Sequence, residues 1–221
     1  MVKLGNPKNA IWEAFLITII IFVVGLLLGL AYEGNKVDEI NEYYLKSEIS
    51  LMDSLALNNL IDLGEADCNT LINSHIAFAD KIYSEALILE KLESAGRVSD
   101  DFWLAHQKYD TLRTFLWINT IKTLEKCQEN FTTVIYLYEY EPIDLAQKAT
   151  QSVWSRILSD LKGKTGNDII LIPIAVDSGL SSLDVLTTKF EISKYPVVVI
   201  NNEFVLEELT SVEDIMKYFK N

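Results

Sequence analysis

The spacing of hydrophobic positions changes twice along the chain, and each change marks a predicted boundary. Residues 14–31 form an apolar run without a charge. Residues 35–128 contain no proline and place apolar residues at intervals of three and four, as helices do. After residue 130, short β-rich runs alternate with helical segments. The predicted segments are a cytoplasmic tail (1–10), a membrane helix (11–32), a helical bundle (33–129) and an α/β domain (130–221).

The apolar run is long enough to cross a membrane. With Ile11 and Trp12 it reaches the ~20 residues that a helix needs to span about 30 Å of hydrocarbon. Trp12 and Tyr32 stand at its ends, where aromatic rings prefer the headgroup region. A cleaved signal peptide is the alternative, because Gly29-Leu30-Ala31 has the small-x-small form that signal peptidase cuts. Since the apolar part of a signal peptide is normally ~7–15 residues, a retained single-pass anchor in the lipid bilayer is predicted.

The charges that flank the anchor predict its orientation. Lys3 and Lys8 precede it, whereas residues 32–39 are net acidic. Positive flanks stay on the cytoplasmic side, so the N-terminus is predicted inside and residues from about 33 onward outside. Gly25 and Gly29 form a GxxxG pair, which lets two membrane helices approach closely. A homodimer through these glycines is therefore a candidate.

Glycines divide the bundle region into three predicted helices, over 35–63, 67–95 and 99–128. Gly64 and Gly96 stand where helices close with a positive φ, and Asp67 and Ser99 are N-cap candidates. The apolar residues within these helices recur at intervals of three and four, which is typical of a helical bundle or an antiparallel coiled coil. The predicted core positions are Ile72, Ile76, Ala79, Tyr83 and Ala86 in the second helix, and Ala105, Tyr109, Leu112 and Leu116 in the third.

The two cysteines fall at matching positions of a hairpin formed by the second and third helices. The turn centres near residues 97–98, and Cys68 and Cys127 are equidistant from that centre. They are predicted to face each other far from the turn and to form a disulfide, which an extracytoplasmic compartment permits. A redox-active dithiol is the competing interpretation, but the pair lacks CxxC proximity. A structural disulfide is the prediction.

Composition excludes several classes of function. Thirty-two acidic and nineteen basic residues give a net charge of −13, which argues against a nucleic-acid partner. The two histidines, His75 and His106, are not equidistant from the hairpin turn and so are not expected to face each other. His75 would instead face the neighbourhood of residue 120. No metal site, cofactor or catalytic residue is predicted, and the chain is not expected to be an enzyme. Asn130 begins an N-x-S/T sequon and is a glycosylation candidate.

The C-terminal domain has the predicted element order β-α-β-α-β-β-α, which makes the chain α+β overall. Pro142 is expected in the first turn of the first helix, and Gly163 near its end. Asn201 and Asn202 tolerate a positive φ and are expected to form a hairpin turn. The predicted strands are 133–138, 169–176, 196–200 and 204–206, and the predicted helices are 142–162, 181–190 and 211–219.

Residues 190–203 (FEISKYPVVVINNE), together with this order, resemble the thioredoxin-like superfamily. Its members carry a short helix and then a cis proline before a β-hairpin and a final helix, and Tyr195-Pro196 stands at the cis-proline position. The resemblance covers roughly 131–221. It implies a thioredoxin-like α/β domain with a cis Tyr195-Pro196 bond. It also implies that Pro173 lies in an edge strand, where a missing N–H is tolerated.

The chain departs from this family at the redox site. If Pro142 aligns with the proline of the family's W-C-G-P-C motif, Tyr140 and Ile143 occupy the two cysteine positions. Neither side chain forms a thiolate, and this domain contains no cysteine. Thiol–disulfide exchange by this domain is therefore excluded chemically.

The resemblance to non-catalytic members implies protein or peptide binding, with Tyr140, Tyr195 and Pro196 in the contact region. One alternative is a non-catalytic chaperone or adaptor of an extracytoplasmic disulfide or protein-folding system. Another is an enzyme or cation site built on three nearby acids, although carboxylates at a helix N-terminus are already favoured by the helix dipole. These acids are Glu139, Glu141 and Asp144.

Overall fold

The structure is a computed structural model that describes residues 7–62, 67–94, 100–127 and 131–219. These residues form an α+β chain that divides into two compact units, 1–46 and 47–221. The helices are α1 (Pro7–Asp62), α2 (Cys68–Ser94), α3 (Asp100–Lys126), α4 (Leu145–Thr165), α5 (Ser181–Lys189) and α6 (Val212–Met216). The strands are β1 (Thr132–Tyr138), β2 (Ile169–Ala175), β3 (Val197–Ile200) and β4 (Phe204–Leu206).

Helix α1 contains a segment that is long and apolar enough to cross a membrane. This segment, Ile11–Leu30, has 20 residues and a mean hydropathy of 2.7. α1 continues without a break to Asp62, so no new helix begins near residue 35, whereas the division into a membrane helix and a bundle stays a prediction. The residues between them include no proline, so nothing in the backbone forces a break. A Cβ added at Gly25 or Gly29 would meet no described atom within 4 Å, and dimerisation there stays a prediction.

Helices α2 and α3 form the predicted antiparallel hairpin. Cys68 and Cys127 are joined by a disulfide with their Cα atoms 5.7 Å apart, which confirms the pairing. Further along, His75 Nε2 lies 2.9 Å from Thr123 Oγ1, close to the expected level. The Asp67 carboxylate accepts the Thr70 N–H at 2.8 Å, as expected of an N-cap. The predictions for Gly64, Gly96, Ser99 and Asn130 fall outside the described residues.

The buried seam of α3 agrees with the sequence, but that of α2 is displaced by one position. Ala105, Tyr109, Leu112 and Leu116 are all buried, as predicted. In α2, Tyr83 is 55% exposed, and the buried positions lie one residue before the predicted ones from residue 71 to 85. The displaced seam includes two polar side chains, which a hydropathy pattern does not select. The buried residues of α2 are Leu71, Ile72, His75, Phe78, Ile82 and Glu85.

The four strands form one mixed sheet in the order β2-β1-β3-β4. β1 pairs in parallel with β2, whereas β3 is antiparallel to both β1 and β4. β2 is an edge strand, and Pro173 opposite Tyr136 lies within it, as expected. The Tyr195-Pro196 peptide bond that precedes β3 is cis, as expected. Asn201 and Asn202 have φ values of 52° and 57° and form the turn between β3 and β4.

Three helix boundaries of this domain differ from prediction. α4 begins at Leu145, because Asp144 is its N-cap and accepts the Ala146 N–H. Pro142 therefore precedes the helix instead of lying in its first turn. Gly163 is helical, and the closing residue is Gly166, whose φ is 56°. α6 begins after the predicted cap, Ser211, but ends at Met216.

The sheet has two buried faces. One face packs against α4 and α6 around Trp154 and Ile215. The other side receives α3, whose Trp117 ring stacks on Phe190 at 5.5 Å between ring centroids and donates to Asn202 Oδ1 at 2.7 Å. α2 and α3 both lie against edge strand β2. The hairpin thus packs against the sheet through these contacts.

Removing the disulfide should destabilise the hairpin. The bond closes a loop with a sequence separation of 59 residues, so its loss should lower the free energy of unfolding by about 4 kcal/mol on the chain-entropy model. Urea denaturation of the full chain in detergent, with and without Cys68→Ser/Cys127→Ser, measures the difference. Reductant should weaken the parent and leave the double variant unchanged. Equal stability of the two proteins would contradict a stabilising disulfide.

Candidate functional site

Three side chains on one face of α3 connect this helix to the ends of the sheet. Gln107 Nε2 donates to the carbonyl of Ser178 at 2.8 Å. Asp110 Oδ1 accepts the N–H of Ala175 at 3.1 Å. Trp117, two turns further along, reaches the turn between β3 and β4. These bonds hold α3 in one register on the sheet.

Asp110 is the charged member of this set and also forms an ion pair. Arg113 Nη1 lies 3.2 Å from Asp110 Oδ1, and the two residues are 7% and 1% exposed. Burial raises the pKa of Asp110, while the Arg113 guanidinium and the Ala175 N–H oppose that shift. The Arg113 guanidinium also lies 6.0 Å from the Tyr109 ring centroid. A buried charge pair at the end of strand β2 therefore links the hairpin to the sheet.

A cavity of about 800 Å³ lies along the outer edge of β2, and we call it the edge groove. Leu171 and Pro173 of β2 line it, with α2 and α3 on one side and α4 on the other. Ala79 and Ala86 of α2 were predicted as core positions but line this groove instead. Tyr83, the exposed residue of the predicted seam, lies between them and also lines it.

Tyrosine is the most frequent residue type in the described lining. Five tyrosines contribute to it, namely Tyr83, Tyr109, Tyr136, Tyr138 and Tyr140. Burial raises the pKa of both Tyr136 and Tyr138, so their hydroxyls remain protonated near neutral pH. The two rings stack at 5.3 Å. The groove therefore offers flat apolar surfaces together with neutral hydrogen-bonding groups.

Each cation in the described lining has an acidic partner. Lys162 Nζ lies 3.6 Å from Asp80 Oδ1, which joins α4 to α2 across the groove. Arg113 is paired with Asp110 as described above. Among the lining residues that the structure describes, no lysine or arginine is left over from these pairs to hold an anionic group. Its chemistry suits an uncharged ligand with apolar and hydrogen-bonding parts.

Tyr140, the first predicted contact residue, lies at one end of the edge groove. Its N–H donates to Asp177 Oδ1 at 2.9 Å, and the Glu141 N–H donates to Asp177 Oδ2 at 3.2 Å. Its ring contacts His106 at 4.1 Å between ring centroids and Trp103 at 6.1 Å. The position of Tyr140 is therefore fixed from both sides, by the loop after β2 and by α3.

Tyr195 and Pro196, the other predicted contact residues, do not line the described edge groove. Pro196 is buried and Tyr195 is half-buried. Burial raises the pKa of the Tyr195 hydroxyl, which is opposed by a hydrogen bond with the Thr187 side chain. The negative charges of Asp184 and Glu139 add to the rise in the Tyr195 pKa. A shared role of these residues in binding stays a prediction.

The described bonds near Tyr140 use the Asp144 carboxylate but only the backbone of Glu139. The Asp144 carboxylate accepts the Ala146 N–H at 2.9 Å as the N-cap of α4. The backbone of Glu139 is held by both polar atoms of the Gln151 side chain, at 3.1 and 2.9 Å. Among the described residues, no three His, Cys, Asp or Glu side chains come together in a way that could hold a metal ion.

Sequence reasoning missed the edge groove, although two signals pointed to it. Small residues recur on the facing helices, with Ala79 and Ala86 on α2 and Ser155 and Ser159 on α4. Small side chains at helical spacing leave space where larger ones would fill it. The second signal is a charged pair three residues apart within the apolar pattern of α3. Asp110 could have been recognised as a residue that needs a buried partner.

Loss of the Asp110 carboxylate should destabilise the whole of unit 47–221. Asp110→Ala leaves Arg113 as a buried cation and deprives the Ala175 N–H of its acceptor, which should cost about 3–5 kcal/mol. Adding Arg113→Met removes the unpaired charge and should restore part of the loss. Thermal unfolding measures both effects, with exposed Asp160→Ala as the control. An Asp110→Ala protein as stable as the control would contradict the assigned role.

Stability should fall at acidic pH through His75. Burial lowers the pKa of His75 to about 4, whereas an unfolded histidine titrates near 6.5. Between about pH 6.5 and 4, His75 therefore takes up a proton in the unfolded chain but not in the folded chain. The free energy of unfolding that is present above about pH 6.5 is lost as the pH falls towards 4. The loss from this group should reach about 3 kcal/mol. Urea denaturation between pH 7.5 and 4.5 should show a steeper fall for the parent than for His75→Gln, and equal slopes would contradict this.

Three comparisons with known proteins found no match. No family model matches the sequence, no curated protein matches it, and no solved structure matches it.

Proposed function

We propose that this protein is a membrane-anchored extracytoplasmic binding protein, whose redox-inactive thioredoxin-like module holds a protein or peptide partner. The single observation that carries the proposal is the position of the cysteines. Both are used in the disulfide that joins α2 and α3, outside the sheet domain. The junction after β1, where an active relative would carry its thiols, has Tyr140 and Ile143 instead.

The assignment to the thioredoxin-like class rests on agreement between sequence pattern and backbone. The order of elements after residue 131 follows the expected β-α-β-α-β-β-α series, and the sheet order is β2-β1-β3-β4. The cis bond at Tyr195-Pro196 directly precedes β3. These features support the thioredoxin-like class as a proposal about fold, and thereby the contact region near Tyr140, Tyr195 and Pro196.

An extracytoplasmic location is supported by three features. The apolar segment Ile11–Leu30 can span a bilayer by length and composition. Lys3 and Lys8 precede it, which favours a cytoplasmic N-terminus. A disulfide in the following unit is consistent with an oxidising compartment. These features support the proposal that the binding module lies outside the cell membrane.

Exposed apolar side chains beside Tyr140 favour binding over a purely structural role. Ile143 is 99% exposed and Leu145 is 81% exposed, in the segment that leads into α4. The backbone just before this segment, at residues 139–141, is held by Asp177 and Gln151, and Asp144 within the segment caps α4. Large apolar residues held in water on a rigid segment are typical of contact sites.

Site-specific photocrosslinking in intact cells tests the function and the location together. A photoreactive residue at Ile143 should give a discrete adduct with another protein, and protease added outside should digest that adduct. The control is Asn167, an exposed position near the opposite end of α4. The purified full chain should also fail to reduce insulin.

Four outcomes decide between the alternatives. Adducts of equal yield at Ile143 and Asn167, or none at all, would contradict the contact region. Resistance of the adduct to external protease would contradict the orientation, and insulin reduction would contradict redox inactivity. An adduct with a disulfide oxidoreductase would specify the binding function as that of an adaptor in a disulfide-forming system.

A further inference from the structure

The outer edge of strand β2 is capped at both ends by side chains. At its start, Lys162 Nζ donates to the carbonyl of Ile169 at 3.2 Å. At its end, the N–H of Ala175 donates to Asp110 Oδ1 at 3.1 Å. A sheet edge normally exposes a row of unpaired N–H and C=O groups. The two caps satisfy the outermost of these groups.

The middle of this edge opens into the edge groove. Backbone groups alternate in direction along a strand, so those of Leu171 and Pro173 point to the same side as the N–H of Ala175. A proline in a strand places its missing N–H away from the ladder, which gives the same direction for Pro173. Within the described residues, no bond to Leu171 is found outside the β1 ladder. One N–H and two carbonyls therefore face the groove.

The walls of the groove leave room beside this edge for a further chain. Small residues lie on both sides, with Ala79 and Ala86 on α2 and Ser155 and Ser159 on α4. Five tyrosines belong to the same lining. The mouth of the groove is open to solvent, since Tyr83 is 55% exposed and the two serines are exposed.

The charges of the groove select against a charged occupant. Asp80 and Lys162 pair with each other, and Arg113 pairs with Asp110. A further charge placed here would lose its hydration without gaining a free counter-charge. Uncharged main-chain groups and apolar or aromatic side chains match what the groove offers.

We propose that the edge groove binds an extended, uncharged segment of a partner protein, which adds to the sheet as a fifth strand beside β2. This inference rests on the proposed binding function and names its site. Main-chain groups of the segment bond Leu171 and the carbonyl of Pro173, while alternate side chains contact the tyrosine rings on the two walls. At ~3.3 Å per residue, about four residues fit between the capped ends of the strand.

The test uses the full chain in lipid nanodiscs and a displayed library of random heptapeptides. Selected peptides are synthesised with ordinary and with N-methylated main-chain amides, because N-methylation removes a donor without changing the side chain. Each lost main-chain hydrogen bond should weaken binding about tenfold. Hydrogen–deuterium exchange should show that the ordinary peptides protect the fragment that covers β2.

Matched variants separate the groove from other surfaces. Ser159→Leu fills the groove from α4 and Ala86→Leu fills it from α2, and each should reduce peptide affinity at least about tenfold. Ser152→Leu makes the same change at an exposed position of α4 outside the described lining and should leave affinity unchanged. Thermal unfolding of each variant shows whether its fold is retained.

The outcomes distinguish this inference from the proposed function. Peptides that protect the cis-proline segment instead of β2, or that tolerate both N-methylation and groove filling, would overturn the inference and leave the binding function standing. A library that yields no binder would overturn both. Protection of β2 by nanodisc lipid alone would assign the groove to an acyl chain and would also overturn the inference.

Discussion

The buried contact between Asp110 and the end of strand β2 is the interaction on which the arrangement of unit 47–221 depends. A single carboxylate accepts the Ala175 N–H and pairs with Arg113, so it satisfies an edge-strand donor and balances a buried cation together. A buried carboxylate is costly when either partner is missing. The helical hairpin is therefore held on the sheet in one register, and its other contacts follow from that register.

Holding α3 in this register determines where α2 lies. The disulfide and the His75–Thr123 contact fix α2 against α3, and α2 then lies beside the outer edge of β2. Because α4 borders the same edge from the other side, the space between the two helices becomes the edge groove. The groove thus results from the position of α2 beside β2. The Asp110 contact, the disulfide and the His75–Thr123 contact together determine that position.

The same geometry explains why the two ends of edge strand β2 are capped while its middle faces the edge groove. Exposed edge strands promote unwanted pairing between chains, and proteins usually cover or cap them. Here Lys162 and Asp110 cap the ends of β2, and Pro173 removes one donor from its middle. A segment that reaches the strand through the tyrosine-lined opening has to fit between α2 and α4.

The sequence by itself determined the elements and several local contacts, because these depend on neighbouring residues. The apolar run of 14–31, the cysteine pairing, the strand order along the chain and the positive φ at Asn201 and Asn202 all follow from spacing and residue type. One error arose where two residues close in sequence compete for the same role. Asp144 displaced Pro142 as the start of α4 because its carboxylate caps the first turn.

Tertiary structure alone decided which face of α2 is buried and where the groove lies. Hydropathy selected Ala79, Tyr83 and Ala86 for the core, but His75 and Glu85 are buried instead. A polar side chain is buried when a partner on another element satisfies it, as Thr123 does for His75. Such a partner is brought close only by folding, so no pattern within a single helix reveals it. The edge groove has the same origin, since its walls come from helices that meet only around strand β2.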